Sequence, residues 1–414
     1  MTQADFTIAN QTFPNTRTEL NTSLQALATN SAGNSAPSTT FANQWYFDSD
    51  GNTLYMRNKD NDAWVTVFTV GATSDKVDAF SAVTVNGIPF FQGDTGSIYT
   101  HDVSATDSTA TYNSAYGLTA LDAITTGDDN TVVGYAAGGA ITTGYKNVVI
   151  GKDAGLTGVE MANNVIIGED AATAVTTGEC LGNVIIGQGA CGTATFAGLN
   201  NVVIGKLAGI AMTSANANVI IGEDAGKAQT TADNNVLIGQ GAGEAITDGY
   251  RNIFIGTGAG DACTTAYKSM CIGYNAGTNY DTENNNTFIG YASGAGNIAG
   301  GEYNTALGYA TLDALTSADN NTAVGHNALT AVQAGTDNVG LGANAGDTID
   351  GGSANICIGS GSDVSSASQD FGITIGYAIT AAGNDFSFGK ASNVVTNDFD
   401  ADANWSRSSD VRKK

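Results

Sequence analysis

A five-residue unit, Asn followed by three mostly apolar residues and Gly, returns about every 17 residues from residue 113 almost to the end of this 414-residue chain. Its closing glycines fall at 117, 134, 151, 168, 187, 205, 222, 239, 256, 273, 290, 308, 325, 342, 359, 376 and 389. Clear copies are Asn147-Val148-Val149-Ile150-Gly151, Asn218-Val219-Ile220-Ile221-Gly222 and Asn252-Ile253-Phe254-Ile255-Gly256. A run this short, rich in β-branched residues and bounded by Asn and Gly, reads as a strand. The spacing leaves no room for a crossover helix, so each repeat is one coil of a β-solenoid.

Successive side chains of a strand point to opposite faces. The residue before the closing glycine is Val, Ile or Leu in 15 of 17 copies, and it is expected to face the interior of the coil. The middle residue then points outward, yet it too is apolar at Val149, Ile166, Ile185, Val203, Ile220, Leu237, Phe254 and Phe288. A strand apolar on both faces is covered on both, and one solenoid covers only one of them. Parallel copies around a common axis bury such a stripe, and cyclic symmetry closes the contact. The expectation is a homotrimer whose axis is packed by those eight residues. Beyond residue 306 the middle position shrinks to Ala306, Ala323 and Gly340, and the sequence leaves open whether the chains approach more closely there or the face changes role. The leading Asn, present in 14 of 17 copies, is expected to hydrogen-bond amide to amide along the rod. Pairs such as Ala154-Gly155 and Ala225-Gly226 fit tight corners.

Composition narrows the function classes. Lys and Arg total 15 against 40 Asp and Glu, a formal net charge of −25 that disfavours a nucleic-acid partner. No apolar run is long enough to span a membrane, and Met1 to Asn10 carry no basic-then-apolar leader, so the chain is expected to be made in the cytoplasm without membrane insertion. Cys180, Cys191, Cys263, Cys271 and Cys357 are odd in number and lack Cys-x-x-Cys spacing, and they read as small buried hydrophobes. His101 and His326 are the only histidines, little material for acid–base catalysis. Neither a metal nor a cofactor is expected. Asp153, Glu169-Asp170 and Glu223-Asp224 read as solvated charge in preference to a calcium site.

The Asn-Val-Val-Ile-Gly units with trailing Ala-Gly resemble the left-handed β-roll repeats of trimeric autotransporter adhesin heads, and related repeats occur in phage tail-fibre shafts; the resemblance covers roughly residues 113 to 392. It implies a trimeric, surface-binding rod. Before it, Pro14 opens a stretch in which Leu20, Leu24 and Leu27 share one helical face, followed by strand-like runs at Gln44–Phe47, Thr53–Arg57 and Ala63–Phe68. Phe13-Pro14, Arg17, Leu20-Asn21 and Asn52-Thr53-Leu54-Tyr55-Met56-Arg57 make this part similar to the virion-attachment regions of phage tail fibres. At the other end, Ser409-Asp410-Val411-Arg412-Lys413-Lys414 resembles the opening of the intramolecular chaperone domain of phage fibres. That resemblance implies a vestigial self-cleavage pair, Ser409 with Lys414 assisting, and without the chaperone the chain is expected not to process itself.

The fold expected is therefore all-β: a trimeric parallel β-solenoid (β-roll) of about 17 coils over residues 111–393, with a small N-terminal helix and antiparallel β-meander. Residues 1–70 form the virion-attachment or capping region, 71–110 a β-rich connector and 394–414 the junction to a chaperone domain. Just after the closing glycines, Tyr274, Tyr291, Tyr309 and His326 fall on consecutive coils, a row that could stack on sugar rings or merely stabilise the ladder. Residues 269 to 389 hold no Lys or Arg but eleven Asp and Glu, which would repel an anionic receptor there. The function these features suggest is a non-enzymatic phage tail fibre or virion appendage, docked on other tail proteins and attaching to a host-surface glycan or protein. The alternatives are a glycan-depolymerising tailspike enzyme and a bacterial trimeric adhesin.

Overall fold

The computed structural model describes residues 32–33, 36, 45–50, 53–70, 77–79, 83–85, 88–92, 97–100, 109–175, 180–193 and 195–399. Among them there is no helix; the helical stretch around Leu20, Leu24 and Leu27 lies outside the described residues. Trp45–Asp48, Thr53–Arg57 and Trp64–Val70 form an antiparallel meander, extended by the short strands Ala32–Gly33 and Val77–Ala79. Tyr46 is buried against the rings of Tyr55 and Trp64, at 6.0 and 5.8 Å between centroids.

From Ser114–Tyr116 to Asp385–Lys390, the strands that end at the seventeen closing glycines pair in parallel, each with the strand one coil along. Register is kept residue for residue, as in Val148↔Val165, Val149↔Ile166 and Ile150↔Ile167. Sixteen turns separate these strands, which at about 4.8 Å per coil gives a rod of roughly 80 Å. A parallel ladder exposes unpaired backbone groups at its two ends, which invites pairing with other chains. Here both ends are covered. Ile98–Tyr99 extends the ladder and carries Ile88–Gln92 antiparallel upon it, while at the far end Asn393–Asp398 folds back antiparallel on Asp385–Lys390.

The facing of the strand residues corrects the sequence expectation. Val149, Ile166, Ile185, Val203, Ile220, Leu237, Phe254 and Phe288, assigned above to a trimer axis, are each 0% exposed inside their own coil. The residue before the glycine and the first residue of the strand point outward instead and are half-buried, as Val148 and Ile150 show. In a three-residue strand, alternation sets the middle residue against its two neighbours but does not say which set faces in. The near-uniform Ile column looked like core, yet it is the outer face. The interior column varies because its volume is shared with other inward residues.

That sharing explains the small middle residues. Four residues after each of the first fourteen closing glycines the chain takes a left-handed conformation, mostly at Gly, and this position lies between the middle residues of its own coil and the next. A Cβ on Gly155 would come 3.4 Å from Val149 and 3.6 Å from Ile166. Where the coils ending at Gly308 and Gly325 place Leu312 and Leu329 there, the neighbouring middle residues are Ala306, Ala323 and Gly340. Two leucines thus fill space that three middle residues vacate, so no change in chain-to-chain approach is needed. Inward Ala154, Ala225 and Ala259 and the larger Ile141, Met212, Ile246 and Tyr280 complete the core.

The asparagines form the expected ladder. Asn218 Nδ2 donates to Asn201 Oδ1 at 3.0 Å and to the Ala232 carbonyl at 2.9 Å, and its Oδ1 accepts the backbone N–H of Asn235 at 2.8 Å. The same pattern runs through Asn130, Asn147 and Asn164. Asn218→Leu leaves the buried Asn235 N–H without its acceptor and removes one donor from the Ala232 carbonyl and from Asn201 Oδ1, and it is expected to destabilise the chain by about 2 kcal/mol, read as an earlier urea midpoint. An unchanged midpoint would show that the ladder carries no net stability.

Candidate functional site: the outer columns of the rod

Each position that points out of the coil forms a column, because consecutive coils stack in register. The residue after the closing glycine makes the most varied one. From residue 152 to residue 223 this column is mostly charged: Lys152 lies 3.8 Å from Glu169, Gln188 donates to Glu169 at 3.3 Å, and Lys206 lies 3.3 Å from Glu223. Asp153 and Asp224, next in sequence, pair with Lys152 and Lys227 at 2.8 and 3.2 Å. These carboxylates are engaged by lysines. Hydrogen bonding to Asp153 and to Asp224 holds Lys152 and Lys227 above the ordinary lysine range.

From residue 274 the same column becomes aromatic. Tyr274, Tyr291, Tyr309 and His326 are brought together on four consecutive coils, with centroids 5.3, 5.1 and 5.0 Å apart and planes within 13°, 5° and 6°. The three tyrosines are about half exposed, at 51%, 50% and 50%. A spacing near the coil rise is too short for rings lying side by side on the surface, so the rings overlap face to face in an offset stack. Their faces are largely taken by one another. What the row presents to solvent is ring edges and hydroxyls, a geometry suited to hydrogen bonding more than to stacking under successive sugars. Tyr135 and Tyr377 occupy the same column without aromatic neighbours.

A second aromatic pair escaped the sequence reading. Tyr250 and Tyr267, six residues before their closing glycines, stack at 5.2 Å and 7°, with Arg251 and Lys268 over the rings at 5.6 and 5.4 Å. The repeated Tyr-Arg/Lys step, also present as Tyr145-Lys146, was the available signal. Ser409 and Lys414 lie outside the described residues.

The cysteines are free and buried, and desolvation pushes the thiols of Cys180 and Cys263 up to about 12 and that of Cys357 to about 11. They are packing groups, not nucleophiles. One carboxyl is perturbed within the physiological range. Burial first, then the neighbouring Asp347, pushes Asp363 up to about 6, although the backbone N–H groups of Val364 and Thr348 donate to it at 2.8 and 3.1 Å. Because the folded value lies above that of an ordinary carboxyl, the folded state holds the extra proton between about pH 4 and pH 6. The distal coils should therefore lose stability as pH rises through that window and level off above it. Asp363→Asn should flatten this dependence in a pH series of thermal melts; an unchanged slope would place its origin elsewhere.

No family model matches the chain, and no curated protein matches it in sequence.

Proposed function

We propose that the chain is a non-enzymatic virion structural protein, a trimeric phage tail fibre or related appendage that projects from the particle and mediates host-surface attachment. One observation carries this reading. The outward face of the ladder is apolar over most of its length, in two parallel columns such as Val148, Val165, Val184, Val202 and Val219 beside Ile150, Ile167, Ile186, Ile204 and Ile221, all half-buried. A flat apolar stripe of this length is far larger than a monomer leaves open to water. A partner with the same coil rise meets it residue for residue, and parallel copies of this chain have that rise; three around an axis close the contact. The trimer core then consists of these flanking columns, with the middle residues inside each coil.

In this reading the N-terminal meander docks on other tail proteins, the solenoid is the projecting shaft, and Tyr274, Tyr291, Tyr309 and His326 offer hydroxyls and ring edges to a host-surface glycan or protein. Immunogold electron microscopy with antibodies raised against the solenoid tests the placement. Label on appendages of particles from the source culture is expected; particles that carry the protein nowhere on their tails would contradict it.

A further inference from the structure

Six cations lie on the solenoid between residues 109 and 268, and three of them follow one rule. Lys152, Lys206 and Lys227 each reach a glutamate one coil along, Glu169, Glu223 and Glu244, at 3.8, 3.3 and 3.4 Å. Lys146, Arg251 and Lys268 break the rule: among the described residues none has a carboxylate within ion-pair distance, and each lies over the tyrosine before it, but only Arg251 and Lys268 fall on adjacent coils. They occupy the same position on consecutive coils, tied through the Lys268 N–H to the Tyr250 carbonyl at 3.2 Å, so like charge sits beside like charge. Such neighbours repel, in a chain that has 40 carboxylates to place.

The backbone holds both residues in the left-handed region, φ 59° for Arg251 and 57° for Lys268, a conformation that this position keeps along the rod, with Lys146, Asn163, Ala217, Tyr303 and Asp337 among its equivalents. The two cations are thus held side by side in a regular frame, laid over two stacked, partly exposed tyrosines. The carboxylates nearest in sequence and on the adjoining coil are engaged, Asp233 by the Asn216 N–H at 2.6 Å and Asp248 by the Thr247 hydroxyl at 3.0 Å, and the next coil carries Asn284 and Asn285.

We infer that Tyr250, Arg251, Tyr267 and Lys268 form a binding platform for a carboxylated sugar, within an acidic polysaccharide. The two cations, one coil apart, meet a carboxylate and adjoining hydroxyl oxygens, and the tyrosine edges meet the apolar face of the ring. The field of a chain with a net charge of −25 opposes polyanions in general, and the apolar ring face that the tyrosine edges meet is what a sugar acid offers and a phosphate backbone or an anionic bilayer surface does not. The biological role rests on the attachment reading above, whereas binding is a property of the isolated chain.

The test is calorimetric titration of the full chain with hexagalacturonate, beside a neutral galacto-oligosaccharide, a single-stranded oligonucleotide and phosphatidylserine vesicles. Saturable binding of hexagalacturonate that weakens with salt is expected. It should fall at least about tenfold in the double variant Arg251→Gln/Lys268→Gln and stay unchanged in Lys206→Gln, with all melting curves alike. Absence of saturable binding, equal binding by the double variant, or tighter binding of the oligonucleotide or vesicles would overturn the platform. None of these results bears on whether the protein sits on a virion, which the immunogold experiment addresses.

Discussion

Gly222→Ala is expected to disrupt the rod at one coil and to lower stability by about 4 kcal/mol. Gly222 has φ of +142°, and a Cβ there would lie 2.3 Å from the carbonyl oxygen and 2.6 Å from the carbonyl carbon of Gly239. Both are backbone atoms of the next coil, so relief requires opening the parallel ladder itself, and the left-handed backbone adds its own strain. Gly241→Ala separates the two effects. Its φ of +63° is also left-handed, but a Cβ there meets only the Glu244 carboxylate at 3.5 Å. That variant should lose about 1 kcal/mol. Urea unfolding read by circular dichroism measures both, with limited proteolysis locating the break. Equal losses would mean that the close approach of the closing glycines contributes nothing.

The second large effect is a coupling. Leu329→Ala removes the side chain that fills the space over Gly340 and Gly346, and about 3 kcal/mol should be lost to the cavity. Gly340→Ala in the native background drives a methyl to 2.7 Å from Leu329 Cγ and should also destabilise. Together the two changes should cost at least about 1 kcal/mol less than the sum of the separate losses, because each relieves the other. A double-mutant cycle in urea measures this directly. Strict additivity would refute the volume exchange between the middle column and the left-handed corner.

These two sites show what the sequence made legible. The period, the strands and the asparagine ladder could be read because each coil repeats the same backbone demands: Gly where the next coil's backbone touches, Asn where a buried amide must bridge coils. The direction of Val149 and its equivalents could not be read. Alternation is symmetric for three residues, and the deciding fact, that Leu312 and Leu329 displace volume at Ala306, Ala323 and Gly340, appears only when coils are stacked. The row from Tyr274 to His326 was visible from the period, whereas the mutual overlap of its rings follows from the coil rise. The Arg251 and Lys268 pair was missed for another reason. The Tyr-Arg/Lys step is written in the sequence, but its oddity lies in the lack of carboxylate partners, which spacing does not record.

The apolar outer columns are the basis of the assembly proposed here, and the mass and shape of the purified protein in solution test it most directly. Light scattering coupled to sedimentation velocity should give three chains in an elongated particle, and the charged variant Val219→Glu/Ile221→Glu should release folded single chains. A wild-type protein that sediments as one chain at micromolar concentration would contradict the account, because it would leave both columns open to water along the whole rod.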